Sequence, residues 1–296
     1  MALIQTAHDA CSRKVHCVRK GYLNDPFVSF FEKDHTIVNS PLMNRGTWLR
    51  TTAFENCVRG FATAAGQPIQ VINFGAGMDT LYFRLKHSDP QFPVQKFVEL
   101  DLADLVAEKE RIIKRHGEMQ SMVGSQYVLV SCDLYDARGV AKALKEHLHG
   151  GTPTIMIAEM VFVYIEGSVT TNLLRTVMSD VVEPGTKTML VTYDAIQPFD
   201  RFGKVMVENL QHFGADFKGI GDFPTPEAHA QRCSELGFKA VKSVTMKNLY
   251  LGVPRQIQIR LNKLEMIDDW EEWNLMHEHY CFVVACTEDT PLPKLF

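Results

Sequence analysis

The sequence predicts an α/β protein built on a mostly parallel sheet with helices on both faces. Three observations carry this. Short apolar runs alternate with amphipathic stretches from residue 67 to 193, the pattern of parallel strands joined by crossover helices. One run ends in the turn Gly75-Ala76-Gly77, where glycine lets a nucleotide-type ligand approach the backbone. Acidic residues then close three later runs, at Asp101, Asp133 and Glu159.

Residues 1–66 read as helical and irregular. Asp25-Pro26 marks a bend, because the residue before proline avoids the helical region. Thr36 to Pro41 is a turn-rich link, and Asn44-Arg45-Gly46 leads into a helix through Phe61. Arg45 and Arg50 on that helix are either solvated arginines or an anion clamp, since guanidinium pairs bidentately with carboxylate. The first strand is Ile69–Asn73. Met78 to Leu85 reads as a helix with Asp79 or Thr80 as its N-cap. The second strand, Lys96–Leu100, ends at Asp101. A charged helix from about Leu105 to His116 presents Glu108, Lys109, Glu110 and Arg111 as a solvated face.

The third strand, Tyr127–Ser131, ends at Cys132-Asp133-Leu134 and precedes a helix over Ala137 to His147. The fourth is Thr154–Ala158, ending at Glu159. The fifth is Thr188–Tyr193, entered through Glu183-Pro184-Gly185. The alternation then breaks, and Phe199 to Phe213 reads as an inserted helix pair. A helix over Pro226–Leu236 stops at Gly237, a C-cap. The sixth strand is Phe238–Met246, a helical insertion fills 248–278, and His279–Cys286 closes the sheet.

The composition bounds the function. Of 296 residues, 46% are hydrophobic and 22% charged, as in a soluble globular chain of one large domain. The net charge of −4 argues against nucleic-acid or anionic-membrane partners. No apolar run is long enough to span a membrane. Met1 to Lys20 has scattered charges and no long apolar core, so no secretory leader is expected. The seven cysteines form no C-x-x-C pair, which fits reduced thiols in the cytoplasm. His147/His149 and His277/His279 lack a consistent third ligand, so no metal site is expected.

Taken alone, Gly75-Ala76-Gly77 is also compatible with a plain tight connection. A dinucleotide fingerprint wants a third small residue three positions after the second glycine, and that position holds Thr80. Nicotinamide or flavin binding is therefore disfavoured, while an S-adenosylmethionine site needs only two glycines. Asp101 stands about two dozen residues after the turn, as expected of a carboxylate that grips ribose hydroxyls. Asp133 suits an adenine amine and Leu134 the ring face. Glu159 interrupts an apolar run, is costly there unless paired, and could receive a ligand ammonium. Singly, each acid could be a helix cap or salt-bridge partner; jointly, at successive strand ends, they point to the cofactor.

These residues resemble the leucine carboxyl methyltransferase family. The matching stretches are Lys20 to Pro26, Asn44-Arg45-Gly46 with Arg50, Asn73 to Thr80, Asp133-Leu134, Ala158 to Tyr164, Asp200-Arg201-Phe202-Gly203 with Glu208-Asn209, and His279-Tyr280-Cys281. They run in order along nearly the whole chain. Phe74 and Asp194 depart from the family's usual Leu and Glu.

The resemblance implies a class I S-adenosylmethionine-dependent methyltransferase fold: a Rossmann-like, seven-stranded, mostly parallel sheet with an antiparallel last strand, plus helical lid insertions. It implies one domain over 1–296, with an N-terminal helical segment at 1–66 and lids at about 195–230 and 248–278. It further implies methyl transfer to the C-terminal leucine carboxylate of the type-2A protein phosphatase catalytic subunit. By matching position, Lys14, Arg50, Gly75, Gly77, Asp101, Asp133, Leu134 and Glu159 would bind the cofactor, and Arg50 and Tyr164 would border the acceptor carboxylate. The chain is expected to act as a cytoplasmic monomer. The alternatives are a small-molecule carboxyl or O-methyltransferase of the same fold, a nicotinamide oxidoreductase, and an inactive phosphatase-binding protein.

Overall fold

The computed structural model of the chain describes residues 2–212, 214–289 and 291–296. Met1 and Phe213, which bound two of the stretches singled out above, lie outside the described residues.

Seven strands form one sheet: β1 (Ile69–Phe74), β2 (Val94–Asp101), β3 (Tyr127–Ser131), β4 (Thr154–Glu159), β5 (Thr188–Ala195), β6 (Ala240–Thr245) and β7 (Tyr280–Cys286). Their order is β3-β2-β1-β4-β5-β7-β6. Pairing among β1 to β5 is parallel, and β7 runs antiparallel to both β5 and β6. This is the class I methyltransferase arrangement. The strand order reverses between β1 and β4, so the connections after these two strands leave in opposite directions and open a crevice at their carboxyl ends.

The helices are α1 (Ala2–Arg19), α2 (Pro41–Ala65), α3 (Leu81–Ser88), α4 (Ala103–Arg115), α5 (Gly117–Met122), α6 (Ala137–Lys145), α7 (Gly167–Asp180), α8 (Arg201–His212), α9 (Pro226–Glu235), α10 (Met246–Leu251), α11 (Arg255–Leu264) and α12 (Trp270–Glu278). Side chains alternate across the sheet with period two. Ile69 and Val71 face a core shared with α1 to α5 and α10 to α12, whereas Ile72 and Phe74 face one shared with α6, α7 and α9. A one-residue slip of β1 would swap these faces, and each fully buried Ile or Val contributes about 1.5–3 kcal/mol, so the register is firmly set.

Several boundaries differ from the sequence reading. Helix α2 begins at Pro41, where Ser40 accepts a hydrogen bond from the Met43 amide and proline occupies the first turn, a favoured start. Helix α3 begins only at Leu81, with Thr80 in the expected N-cap position but making no side-chain capping bond. The Thr80 hydroxyl donates instead to Asp25 Oδ2 at 2.5 Å, and Asp79 is ion-paired. Between 199 and 212 the structure holds one helix, α8, followed from 214 by turns. Helices α5 and α7 are additional to the elements read from the sequence.

The charged run on α4 is not one solvated face. Lys109 is 1% exposed and Glu108 9%. Lys109 Nζ sits 2.5 Å from Glu99 Oε2, and Glu108 pairs with Lys33. Gly237 does follow α9 with positive φ, and the Phe238 amide reaches back to the Cys233 carbonyl, a closing bond of the Schellman type.

Among the described residues, no helix is long and apolar enough to cross a membrane. Nor do three or more His, Cys, Asp or Glu side chains there gather into a group that could hold a metal. His277 stacks on Trp273, and His279 Nε2 lies 2.9 Å from Asp200 Oδ2. Asp200 also accepts from the Gly203 amide, so the Asp-Arg-Phe-Gly motif anchors the start of α8 beside the start of β7.

Candidate functional site

A cavity of about 610 Å³ opens at the carboxyl ends of β1, β2, β3 and β4. Lys14, Arg50, Gly75, Gly77, Asp101, Asp133, Leu134, Glu159 and Tyr164 all line it. The sheet supplies most of them from strand ends, and helices α1 and α2 bring Lys14 and Arg50 across from the N-terminal segment.

The glycine turn forms the floor. Gly75 (φ +57°) and Gly77 (φ +49°) both adopt left-handed backbone, which other residues enter at a cost. A Cβ on Gly75 would lie 2.7 Å from the Val161 side chain, and one on Gly77 would lie 3.3 Å from Ala7 of α1. Asp101, at the end of β2, accepts from the Gly77 amide at 2.5 Å and from the Leu102 amide at 2.7 Å. Burial raises its carboxyl above the usual range, and these two amides pull it back.

One end of the cavity holds an ion-pair network. Lys14 Nζ sits 3.2 Å from Asp79 Oδ1 and 3.1 Å from Glu159 Oε2. Arg50 Nε sits 2.7 Å from Glu159 Oε1. Arg84 reaches Asp25, Glu55 and Asp79. Burial works against charge on Lys14, but Asp79 and Glu159 outweigh it and raise the ammonium above its ordinary value. Burial likewise opposes the Asp79 carboxylate, while Lys14, Arg84 and Lys109 hold it well below the usual range. The Asp79 carbonyl accepts from Lys109 Nζ at 2.6 Å, fixing the peptide that leaves the glycine turn. Buried charges of this kind persist only when paired.

The other end is less charged. Leu134 is buried, and the exposed Asp133 accepts from the Tyr135 amide at 2.9 Å. Tyr135 donates to Glu166 at 2.7 Å, and Lys218, from the segment after α8, donates to Tyr135 at 3.0 Å. These contacts tie that segment to the rim.

Aromatic rings border the Arg50 end. The Arg50 guanidinium carbon lies 5.1 Å from the Tyr193 ring centroid, within cation–π range. Tyr193 and Tyr280 stack at 5.4 Å. Tyr164 packs on Phe217 at 5.3 Å, and burial pushes its phenol up to about 12. It stays a neutral hydrogen-bonding group at physiological pH.

One sequence expectation changes here. Arg45 is no anion clamp: it is fully buried and donates to Tyr250, Asn262 and the Glu265 carbonyl. Glu159 has the partners that a carboxylate in an apolar run needs, Arg50 and Lys14. The sequence reading missed Arg84, Tyr193 and Tyr280 as parts of the site, and gave Asp79 only the role of a cap, as an alternative to Thr80. The one available signal was Arg84, a charge inside the apolar run Leu81 to Leu85.

The residues present suit a ligand with a ribose-like diol, a planar heterocycle and a zwitterionic tail. Asp101 can accept from hydroxyls, Leu134 offers an apolar face, and the Lys14–Glu159–Arg50 group presents both charges. The volume falls in the range of small-molecule sites.

A family model described as leucine carboxyl methyltransferase matches residues 2–178. The chain is 30% identical over 304 residues to leucine carboxyl methyltransferase 1 of Schizosaccharomyces pombe, covering 98% of this chain and 96% of that protein. It is 27% identical over 310 residues to human tRNA wybutosine-synthesizing protein 4, covering 97% of this chain and 44% of that one. Among solved structures, a candidate methyltransferase from Thermobifida fusca superposes with a TM-score of 0.55 at 12% identity, covering 82% of this chain and 81% of that one. That likeness concerns the fold.

Proposed function

Because this chain belongs to the leucine carboxyl methyltransferase family, we propose that it methylates the α-carboxylate of a C-terminal leucine, using S-adenosylmethionine, with the catalytic subunit of a type-2A protein phosphatase as acceptor. The observation that carries this reading is the cavity itself. Its Asp101, Asp133 and Leu134 end suits adenosine, and its Lys14, Glu159 and Arg50 end suits an amino-acid tail, with Tyr164 and Tyr193 beside it.

The donor supplies a methyl group on a sulfonium, a leaving group that needs no acid. Asp101 takes the ribose hydroxyls, and Asp133 and Leu134 take the edge and face of adenine. Lys14 and Arg50 take the carboxylate of the tail, and Glu159 its ammonium. Gly75 and Gly77 keep the backbone clear for close approach.

An α-carboxylate has a pKa of about 3.3–3.7 and is ionised at neutral pH, so the protein need not remove a proton. Its tasks are to orient the acceptor oxygen and to strip water from it. Tyr164, Tyr193, Tyr280 and the 214–218 segment provide the water-excluding wall. One copy of the chain carries every residue of this site, which fits a monomer, and seven free cysteines fit the cytoplasm. The similarity to the wybutosine protein raises an RNA acceptor, which the net charge of −4 disfavours.

Labelled S-adenosylmethionine should mark the phosphatase as an alkali-labile ester, and removal of its terminal leucine should abolish the label. Label on a phosphatase lacking that leucine, or none on the intact one, would overturn the reading.

A further inference from the structure

We propose that Arg13 is the residue that binds the acceptor's carboxylate, an inference that rests on the function just given. Arg13 lies on α1 beside Lys14 and lines the same cavity. The other lysines and arginines lining it each have a carboxylate partner. Lys14 pairs with Asp79 and Glu159, Arg50 with Glu159, Arg84 with Asp25, Asp79 and Glu55, and Lys218 with Glu166. Among the described residues, Arg13 alone of these five has no carboxylate within ion-pair distance.

Among the described residues its side chain makes one hydrogen bond, from Nη1 to the Asn39 amide oxygen at 3.4 Å. Asn39 is itself buried and held: its Nδ2 donates to the Arg13 carbonyl at 2.9 Å and to Asn44 at 3.0 Å. Arg13 is therefore steered by a neutral group that leaves most of its donors free. Asp9, one turn earlier on α1, accepts from Gln5 at 2.8 Å and makes no ion pair with Arg13.

Arg13 and Tyr280 line the same cavity. Burial pushes that phenol up, and the charges of Arg50 and Arg13 both pull it down. Both guanidinium groups thus act on the aromatic end of the cavity. A partly buried, unpaired guanidinium in a cavity wall is a standing demand for an anion. Arg50 meets its demand with Glu159, and Arg13 has no carboxylate among the described residues to meet it.

The division of labour follows. Lys14, Arg50 and Glu159 form a charge-matched seat for the zwitterionic end of the donor. Arg13 holds one oxygen of the incoming carboxylate, leaving the second oxygen free to react. A lysine could supply the charge but not the planar fork.

The test uses the full chain with Arg13→Gln and Arg13→Lys. Three quantities are measured: affinity for S-adenosylhomocysteine, KM and kcat for the phosphatase, and inhibition by phosphatase-tail peptides ending in leucine acid or leucine amide. Arg13→Gln should raise KM roughly 10- to 100-fold, the loss expected of one charge-assisted contact. It should leave S-adenosylhomocysteine affinity within about twofold, since a peripheral residue contributes little to that ligand. The wild-type preference for acid over amide peptide should vanish in Arg13→Gln and return in part in Arg13→Lys.

An unchanged KM, or a retained acid preference in Arg13→Gln, would overturn the assignment. So would a parallel loss of S-adenosylhomocysteine affinity, which would place Arg13 in the donor seat. If the wild type methylates no phosphatase, the proposed function falls and takes this role with it; if only the Arg13 outcomes fail, that function stands without it.

Discussion

Arg50 Nε and Glu159 Oε1 meet at 2.7 Å, joining helix α2 of the N-terminal segment to the end of β4. Lys14 of α1 holds the other oxygen of the same carboxylate at 3.1 Å. One acid at the end of β4 thus holds two helices of the N-terminal segment across the mouth of the sheet crevice. Glu159 keeps two cations in place that burial would otherwise disfavour.

Replacing Arg50 with alanine is expected to cut methyl transfer by about 100-fold or more, the scale of removing one positioned polar group from a closed site. The fold should persist, because Lys14 still pairs with Glu159. Steady-state turnover beside circular dichroism checks both halves. Near-normal turnover in a folded variant would remove Arg50 from the site.

Asp101 has two jobs that a pair of variants separates. It accepts from the Gly77 amide, which shapes the turn, and it is the candidate partner of the ribose. Asp101→Ala should weaken S-adenosylhomocysteine binding by about 1.5–3 kcal/mol, the value of a charge-assisted hydrogen bond. Asp101→Asn keeps an acceptor oxygen and should lose less. Calorimetry gives both numbers, and an unchanged affinity in the alanine variant would refute the ribose assignment.

Gly75→Ala places a methyl group against Val161 and forces alanine into φ +57°. The steric and backbone costs are separable. Val161→Ala in the same chain should recover the part due to the clash, leaving about 1 kcal/mol or more of backbone strain. Denaturant midpoints of the single and double variants would show this. Full recovery in the double variant would mean that the left-handed backbone carries no cost there.

Asp194 gives the fold a pH dependence of known sign. It is 2% exposed, Oδ1 accepts from the Val163 amide at 3.1 Å, and Oδ2 has no partner among the described residues. Burial pushes its carboxyl up to about 7, against the pull of Arg232 and the backbone amides. The unfolded carboxyl ionises near 3.9, so between about pH 4 and 7 the native state binds the extra proton. This group's contribution to stability therefore falls as pH rises through that window, by at most about 1.4 kcal/mol per unit, and levels off above the folded value. Asp194→Asn keeps the acceptor and removes the proton, so its stability relative to wild type should climb from pH 4 to 7. A constant difference across that window would disprove the shifted titration.

Much of the fold was legible because strand periodicity and strand ends are local properties. The run Ile69 to Phe74 alternates between two buried faces, and its two glycines mark the turn whatever surrounds them. Local signals failed where a long-range partner changed a residue's task. Thr80 looks like a helix cap, yet its hydroxyl turns to Asp25, 55 positions earlier. Lys109 looks solvated, yet Glu99 and the Asp79 carbonyl draw it inside. Arg45 and Arg50 are indistinguishable as letters on one helix. Five residues is nearly a turn and a half, which sends Arg45 toward α11 and Arg50 toward the cavity.

By itself, the sequence determined the sheet, its glycine turn and the acids at the ends of β2 and β4, because hydrophobic period and chain reversal are written within a few residues. Only the tertiary structure decided which charges are spent on one another and which stay free. Lys14, Arg50 and Arg84 are paired with carboxylates up to 145 positions away, while Arg13 has no carboxylate partner among the described residues. The physical reason is that ion pairing depends on distance through space in a poorly solvated cavity, and spacing along the chain does not report that distance.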